Sequence, residues 1–232
     1  MYLRDLKILK DKLPTYPGVL GRERYFCSAV LITLVLIDGE YNFLFQIRAS
    51  NIKQEGEISF PGGKHDPNTD SDFSQTAIRE TMEELGIAKE KIEIIGRLDI
   101  FIAPMGVLIE PFIGCLNISN LSELNINRKE VEDVFLLPVS FFENNPPKEY
   151  KARVIVEPSY FENGKEIILL PVKKLGLPEI YNKPWGGTIH RIFVYETKKG
   201  PIWGITAELI YAFVSLLKIT KTSGEVLHNK NY

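Results

Sequence analysis

The run Thr76-Ala77-Ile78-Arg79-Glu80-Thr81-Met82-Glu83-Glu84-Leu85-Gly86 limits what this chain can become more than any other stretch. At about 100° per residue of an α-helix, Glu83 falls about 60° behind Glu80 and Glu84 about 40° ahead, so the three carboxylates share one face. Ile78, Met82 and Leu85 take the opposite face. Such a helix is stable only when its apolar side is laid against another layer of structure. The spacing predicts a helix from about Asp72 to Leu85, stopped by Gly86. Like charges so placed destabilise an isolated helix by roughly a few tenths of a kcal/mol per pair, so something must compensate them. A hard divalent cation, Mg²⁺ or Mn²⁺, is the natural partner for a set of carboxylate oxygens. From this segment alone, a solvated acidic face is the alternative.

Directly upstream lies Phe60-Pro61-Gly62-Gly63-Lys64. Glycine lacks Cβ, so backbone at Gly62 and Gly63 can approach a ligand closely, and Lys64 supplies a cation beside it. A glycine loop followed by Arg-Glu-x-x-Glu-Glu thus joins backbone dipoles, a cation and a carboxylate set in one loop and helix.

The remainder reads as alternating strands and helices without a βαβ rhythm, which predicts a mixed sheet covered by helices, an α/β fold. Residues 1–20 read as a docked N-terminal helix, with Leu3, Leu6, Leu9 and Leu13 on one side, and a linker through Pro14 and Pro17-Gly18. Strands are expected over Cys27 to Ile37 and Tyr41 to Ile47 around an Asp38-Gly39 turn, then at Lys91 to Leu98, Val107 to Leu116, Ala152 to Val156 and Arg191 to Glu196. A last apolar helix is expected from about Thr206 to Leu217, and residues 218–232 as a frayed polar tail. At 232 residues and 44% hydrophobic, residues 1–232 fit one domain with a substantial core. Net charge is -2 and there is no long Lys/Arg block, so nucleic acid is not an expected partner and an anionic ligand must be held by local chemistry. No apolar run is long enough for a membrane span, and the charged N-terminus lacks a signal-peptide pattern, so a cytoplasmic address is expected. Cys27 and Cys115 sit in apolar strands and are expected to pack as small hydrophobes. His65 and His190 have no second His or Cys at metal spacing, and structural roles are expected for both. Trp203 is expected in the core; Tyr195 could stack on a base or pack.

The loop and helix resemble the Nudix box, Gly-x5-Glu-x7-Arg-Glu-U-x-Glu-Glu-x-Gly-U with U apolar. The second half matches at Arg79, Glu80, Glu83, Glu84, Gly86 and Ile87, with Thr81 at an apolar position. Strict spacing asks for Glu at 71 and Gly at 65, where the chain has Ser71 and His65; counted from Gly63, the interval to Arg79 is two residues longer than the pattern. The first acidic residue is then Asp70 or Asp72. Phe60 to Thr81, with Arg48-Ala49, Lys53 and Gly56 upstream and Trp203-Gly204-Ile205-Thr206-Ala207 downstream, looks like the coenzyme A diphosphatase branch of that family.

That resemblance implies a Nudix-type α/β/α sandwich, with a mixed β-sheet flanked by helices. It implies that Glu80, Glu83 and Glu84 hold Mg²⁺ or Mn²⁺, that Arg79 orients a carboxylate of the helix, and that Arg48, Lys53, Gly62, Gly63 and Lys64 face the substrate. The general base comes from the box or from a later loop. Glu130 is the loop candidate, a solvated turn carboxylate being the alternative. The implied reaction is hydrolysis of the pyrophosphate of coenzyme A or acyl-CoA to 3′,5′-ADP and (acyl-)4′-phosphopantetheine, with a homodimer left open. Two other readings compete: hydrolysis of ADP-ribose or of oxidised nucleoside triphosphates, and a Nudix-fold binding module without catalysis. The four intact residues Arg79, Glu80, Glu83 and Glu84 weigh against the last.

Overall fold

The computed structural model describes residues 2–16, 18–50 and 54–228. Helix α1 (Leu3–Lys12) precedes β1 (Phe26–Ile37), whose run of Val, Leu and Ile is buried over most of its length. Asp38 and Gly39 both take positive φ, 49° and 82°, which suits the tight turn into β2 (Glu40–Arg48). Two short strands follow, β3 (Ile58–Ser59) and β4 (Gly62–Lys64), then α2 (Phe73–Leu85). Asp72 caps α2 by accepting from the Gln75 amide at 3.0 Å, and Gly86, at φ 61°, ends it. Further along come β5 (Ile92–Arg97), β6 (Phe101–Ala103), β7 (Val107–Leu116), β8 (Val131–Pro138) and α3 (Val139–Asn144). The last third holds β9 (Lys148–Val156), β10 (Ser159–Glu162), β11 (Lys165–Ile168), β12 (Trp185–Thr197), β13 (Gly200–Trp203) and α4 (Gly204–His228).

The main sheet runs β3-β2-β1-β7-β5, with β4 paired to β1, β6 to β7 and β8 to β2. β1 and β7 pair in parallel and the other pairs are antiparallel, so the sheet is mixed, as expected. A second sheet, β13-β12-β9, and a β10-β11 hairpin complete the topology. Alternation along β2 divides the core. Leu44 joins Ala77 and Leu85 beneath α2. Phe43 and Phe45 turn to the other face, where Phe142 of α3, Phe193 and Tyr195 of β12, and Ile210 and Phe213 of α4 cover them. The architecture is therefore helix, mixed sheet, helix, the α/β/α sandwich the sequence implied.

Several local expectations change. Val131–Pro138, where no strand was expected, is a full strand against β2. The C-terminal helix begins at Gly204 and continues to His228, beyond the expected end at Leu217. Leu6, Leu9 and Leu13 of the N-terminal segment are exposed, so the helix expected to dock does not bury that side. Periodicity shows that a helix has an apolar face, not what covers it. Trp203, expected in the core, is 46% exposed, whereas Tyr195 is buried. Among the described residues no helix is long and apolar enough to cross a membrane.

Candidate active site

Three features bring the loop and the helix together. Phe60 is buried and stacks on Phe45 at a centroid distance of 4.9 Å, which anchors the start of the loop in the aromatic core. β4 then pairs with β1, Gly62 opposite Val30 and Gly63 opposite Ala29, while the Leu31 amide donates to the Pro61 carbonyl at 2.9 Å. α2 packs over this corner, and the Gly62 amide donates to Glu84 Oε2 at 3.0 Å.

The two glycines are needed for different reasons. A Cβ on Gly62 would lie 2.4 Å from the Ala29 carbonyl oxygen and 2.8 Å from Val30 Cα, so backbone would have to move. The atoms nearest to a Cβ on Gly63 would be those of the Glu80 carboxyl, 2.3 Å away at its Cδ, the far end of a side chain rather than backbone. Gly62→Ala is therefore expected to destabilise the fold by about 1–3 kcal/mol. Gly63→Ala is expected to leave thermal stability nearly unchanged while displacing Glu80, with a loss of roughly 10- to 100-fold in kcat. Thermal unfolding and steady-state rates on the two variants check this, and an inverted pattern would contradict it.

The helical face carrying the glutamates is graded rather than uniformly exposed. Glu84 is 4% exposed, the Glu80 side chain 15% and the Glu83 side chain 54%. The sequence pattern placed all three opposite the apolar stripe, but Glu84 is packed beneath the loop together with Ala77, Thr81 and Leu85, because β4 crosses that side of the helix. Burial raises the pKa of the Glu84 carboxyl to about 7, against the pull of the Gly62 amide, the Gln46 amide and, by charge, Arg48. Glu80 is raised as well, first by burial and then by the charges of Glu83 and Glu130, with Arg79 opposing.

Arg79 ties the site together. Its Nε and Nη2 grip Asp70 Oδ1 and Oδ2 at 2.8 and 3.0 Å, Nη1 reaches Glu80 Oε1 at 2.7 Å and Glu83 Oε2 at 3.1 Å, and Nη2 also donates to the Lys64 carbonyl at 3.2 Å. The question left open between Asp70 and Asp72 is thereby answered: Asp70 is the partner of Arg79, and Asp72 is the helix cap. Asp70 is buried and also accepts from the Thr76 hydroxyl at 2.9 Å and the Asp66 amide at 3.2 Å. The Arg79 guanidinium and these donors hold its pKa well below the ordinary carboxylate range. His65 stacks on Phe73 at 4.0 Å and its Nδ1 lies 2.8 Å from the Thr76 hydroxyl, the structural role expected of it.

An open cleft of about 670 Å³ is lined by Lys64, His65, Asp66, Asn68, Thr69, Arg79, Glu80 and Glu83, among others. Lys64 is exposed there. Glu130 stands in the turn before β8, near enough to act on Glu80 by charge. Arg48, at the end of β2, acts in the same way on Glu84 and on Glu57, a carboxylate the sequence did not single out. Lys53 lies outside the described residues.

Among the described residues no three His, Cys, Asp or Glu side chains already converge as a ligand set. Arg79 draws Glu80 and Glu83 toward itself, while Glu84 turns to the Gly62 amide. The donor chemistry nevertheless fits a hard divalent cation: two desolvated carboxylates, Glu80 and Glu84, whose charged forms are disfavoured, stand on one arc with a third.

Comparison with known proteins places the sequence among relatives. The chain is 31% identical over 142 residues to the mouse peroxisomal coenzyme A diphosphatase NUDT7, covering 61% of this chain and 56% of that protein. It is 36% identical over 121 residues to the human mitochondrial coenzyme A diphosphatase NUDT8, 51% of each. It is 26% identical over 192 residues to a Nudix hydrolase NudL of Photorhabdus laumondii, covering 83% of this chain and 85% of that one. The chain thus spans about half the length of the mammalian relatives it matches. The family described as NUDIX domain matches residues 28–157, more than half of the sequence, and the chain belongs to that family.

Proposed function

We propose that this chain is a divalent-metal-dependent pyrophosphohydrolase acting on coenzyme A or acyl-CoA, releasing 3′,5′-ADP and (acyl-)4′-phosphopantetheine. The observation that carries the reading is the joint of loop and helix: Gly62 on Glu84, Gly63 against Glu80, and Arg79 fastened to Asp70 while reaching Glu80 and Glu83. The choice of CoA draws on the Phe-Pro-Gly-Gly-Lys to Thr81 pattern and on relatives named as coenzyme A diphosphatases. A cytoplasmic address is kept as a proposal, whereas those relatives are named for the peroxisome and the mitochondrion.

Glu80, Glu83 and Glu84 would hold Mg²⁺ or Mn²⁺. When bound there, such an ion would polarise the pyrophosphate and make a nearby water more acidic. Arg79, held by Asp70, fixes the carboxylates of Glu80 and Glu83 and keeps them from swinging apart. Glu130, facing Glu80 by charge, is the residue we assign to take the proton from the attacking water. Lys64 at the cleft and Arg48 beside Glu84 would offset phosphate charge, and Gly62 and Gly63 let backbone come close to it. Lys53, from its sequence position, is proposed for the same task.

The distinguishing group of CoA is its 3′-phosphate, and a charge-assisted hydrogen bond to it contributes about 1.5–3 kcal/mol. CoA is therefore expected to be used roughly tenfold or more better, in kcat/KM, than dephospho-CoA. Steady-state rates on CoA, dephospho-CoA and ADP-ribose with Mg²⁺ test this. Equal use of the first two would leave the 3′-phosphate unread, and a preference for ADP-ribose over both would replace the substrate assignment while keeping the metal chemistry.

A further inference from the structure

Gln46 is fully buried near the end of β2, and its register partner on β3 is Ser59. Residues directly opposite in an antiparallel pair point to the same side of the sheet, and residues two apart on a strand share a side. Leu44, two before Gln46, lies in the core beneath α2, while Phe43, Phe45 and Ile47 belong to the aromatic core on the other side. Gln46 and Ser59 therefore sit together under α2, on the side of Glu84.

Both are orphaned there. Among the described residues, neither amide atom of Gln46 nor the Ser59 hydroxyl has a hydrogen-bond partner, although all three atoms are buried. The Gln46 amide nevertheless lies within reach of the Glu84 carboxylate. It stands beside the carboxylate without the geometry of a completed hydrogen bond. A chain built for stability alone would place an apolar side chain of the same shape at position 46, since that is neutral or favourable where a buried amide is unpaired. Unsatisfied buried polar groups in native folds call for a specific reason, and a carboxylate with a functional task is one.

We propose that Gln46 and Ser59 are positioning residues for Glu84, setting the orientation in which its carboxylate meets a divalent cation. The donor inventory is complete for this: the Gln46 amide N–H can donate to the Glu84 carboxylate, and the Ser59 hydroxyl can donate to the Gln46 carbonyl oxygen. The metal thus has its ligand oriented by groups that never touch it. This inference rests on the metal-dependent reading above.

The test uses the full chain with Gln46→Met, which keeps length and volume, and Ser59→Ala. Mn²⁺ affinity is measured by calorimetric titration, metal-free stability by thermal unfolding, and kcat and KM on CoA at saturating Mn²⁺. Gln46→Met is expected to bind Mn²⁺ roughly 10- to 100-fold more weakly, with metal-free Tm unchanged or higher, kcat lowered and KM for CoA unchanged. Ser59→Ala is expected to shift affinity the same way by a smaller factor. Unchanged Mn²⁺ affinity in both variants, or a weakening accompanied by a fall in metal-free Tm, would overturn the inference. If Gln46→Met does not fold, Ser59→Ala decides by the same criterion. A wild-type chain that binds no Mn²⁺ would instead overturn the metal-dependent reading, and the inference with it.

Discussion

Glu84→Gln is expected to lower kcat by about 100-fold or more while leaving the fold intact. The glutamine keeps an oxygen that can accept from the Gly62 amide, now at 3.0 Å from Glu84 Oε2, so the joint between loop and helix survives. What disappears is a full negative charge in a site that is only 4% exposed, where little water screens it. If that charge supplies about 3 kcal/mol to holding the cation and the developing charge of the transition state, the loss is about a hundredfold at about 1.4 kcal/mol per factor of ten. Removing a desolvated carboxylate also removes a cost, so metal-free stability should be equal or slightly higher. Calorimetric Mn²⁺ titration, thermal unfolding and single-turnover rates on the variant check all three parts. A fully active Glu84→Gln would remove Glu84 from the mechanism.

Asp70→Asn is expected to cost about 3 kcal/mol of stability, the lower end of what breaking a buried ion pair costs, because Arg79 keeps Glu80 and Glu83 as partners. In a chain of this size that corresponds to roughly 6–12 °C in Tm. Turnover should fall as well, since Arg79 loses its two-pronged hold and Glu80 its fixed neighbour. The pH dependence has a definite sign. Asp70 has a folded pKa depressed below its ordinary value of 3.8, so its stabilisation is fully present above that value and is lost as pH falls below it toward the folded pKa. Acid unfolding below about pH 4 should therefore be steeper in the wild type than in Asp70→Asn. Thermal unfolding between neutral pH and pH 2 on both proteins measures this. Parallel curves would mean that Asp70 and Arg79 are not coupled.

α2 and its stop were legible because their signals are local: three glutamates at helical spacing, an apolar stripe, and Gly86 at the end. β1, β2 and β7 were legible for the same reason, as runs rich in Val, Ile, Leu and Phe. The strand Val131–Pro138 was not, because Glu132 and Asp133 interrupt its start and pairing to β2 is a tertiary fact. Nor could spacing choose between Asp70 and Asp72, since the loop carries two residues more than the pattern and only packing shows which carboxylate turns inward. Trp203 misled because its size argues for burial, whereas its place near the edge of a small sheet leaves it half in solvent. Gln46 did carry a readable signal, a lone amide inside Phe43-Leu44-Phe45-Gln46-Ile47, at a position whose alternation points it away from the aromatic core. Its neighbour Ser59 became meaningful only through the β2-β3 register.

In the proposed reaction the glutamates of α2, with a divalent cation, break the pyrophosphate of CoA. Its most direct test is to identify by mass the products formed from CoA by the wild-type chain with Mg²⁺, and to repeat the incubation with excess chelator. The expected result is 3′,5′-ADP and 4′-phosphopantetheine in equal amounts with Mg²⁺ and neither with chelator. Intact CoA in the presence of Mg²⁺, or undiminished hydrolysis in the chelator, would contradict it.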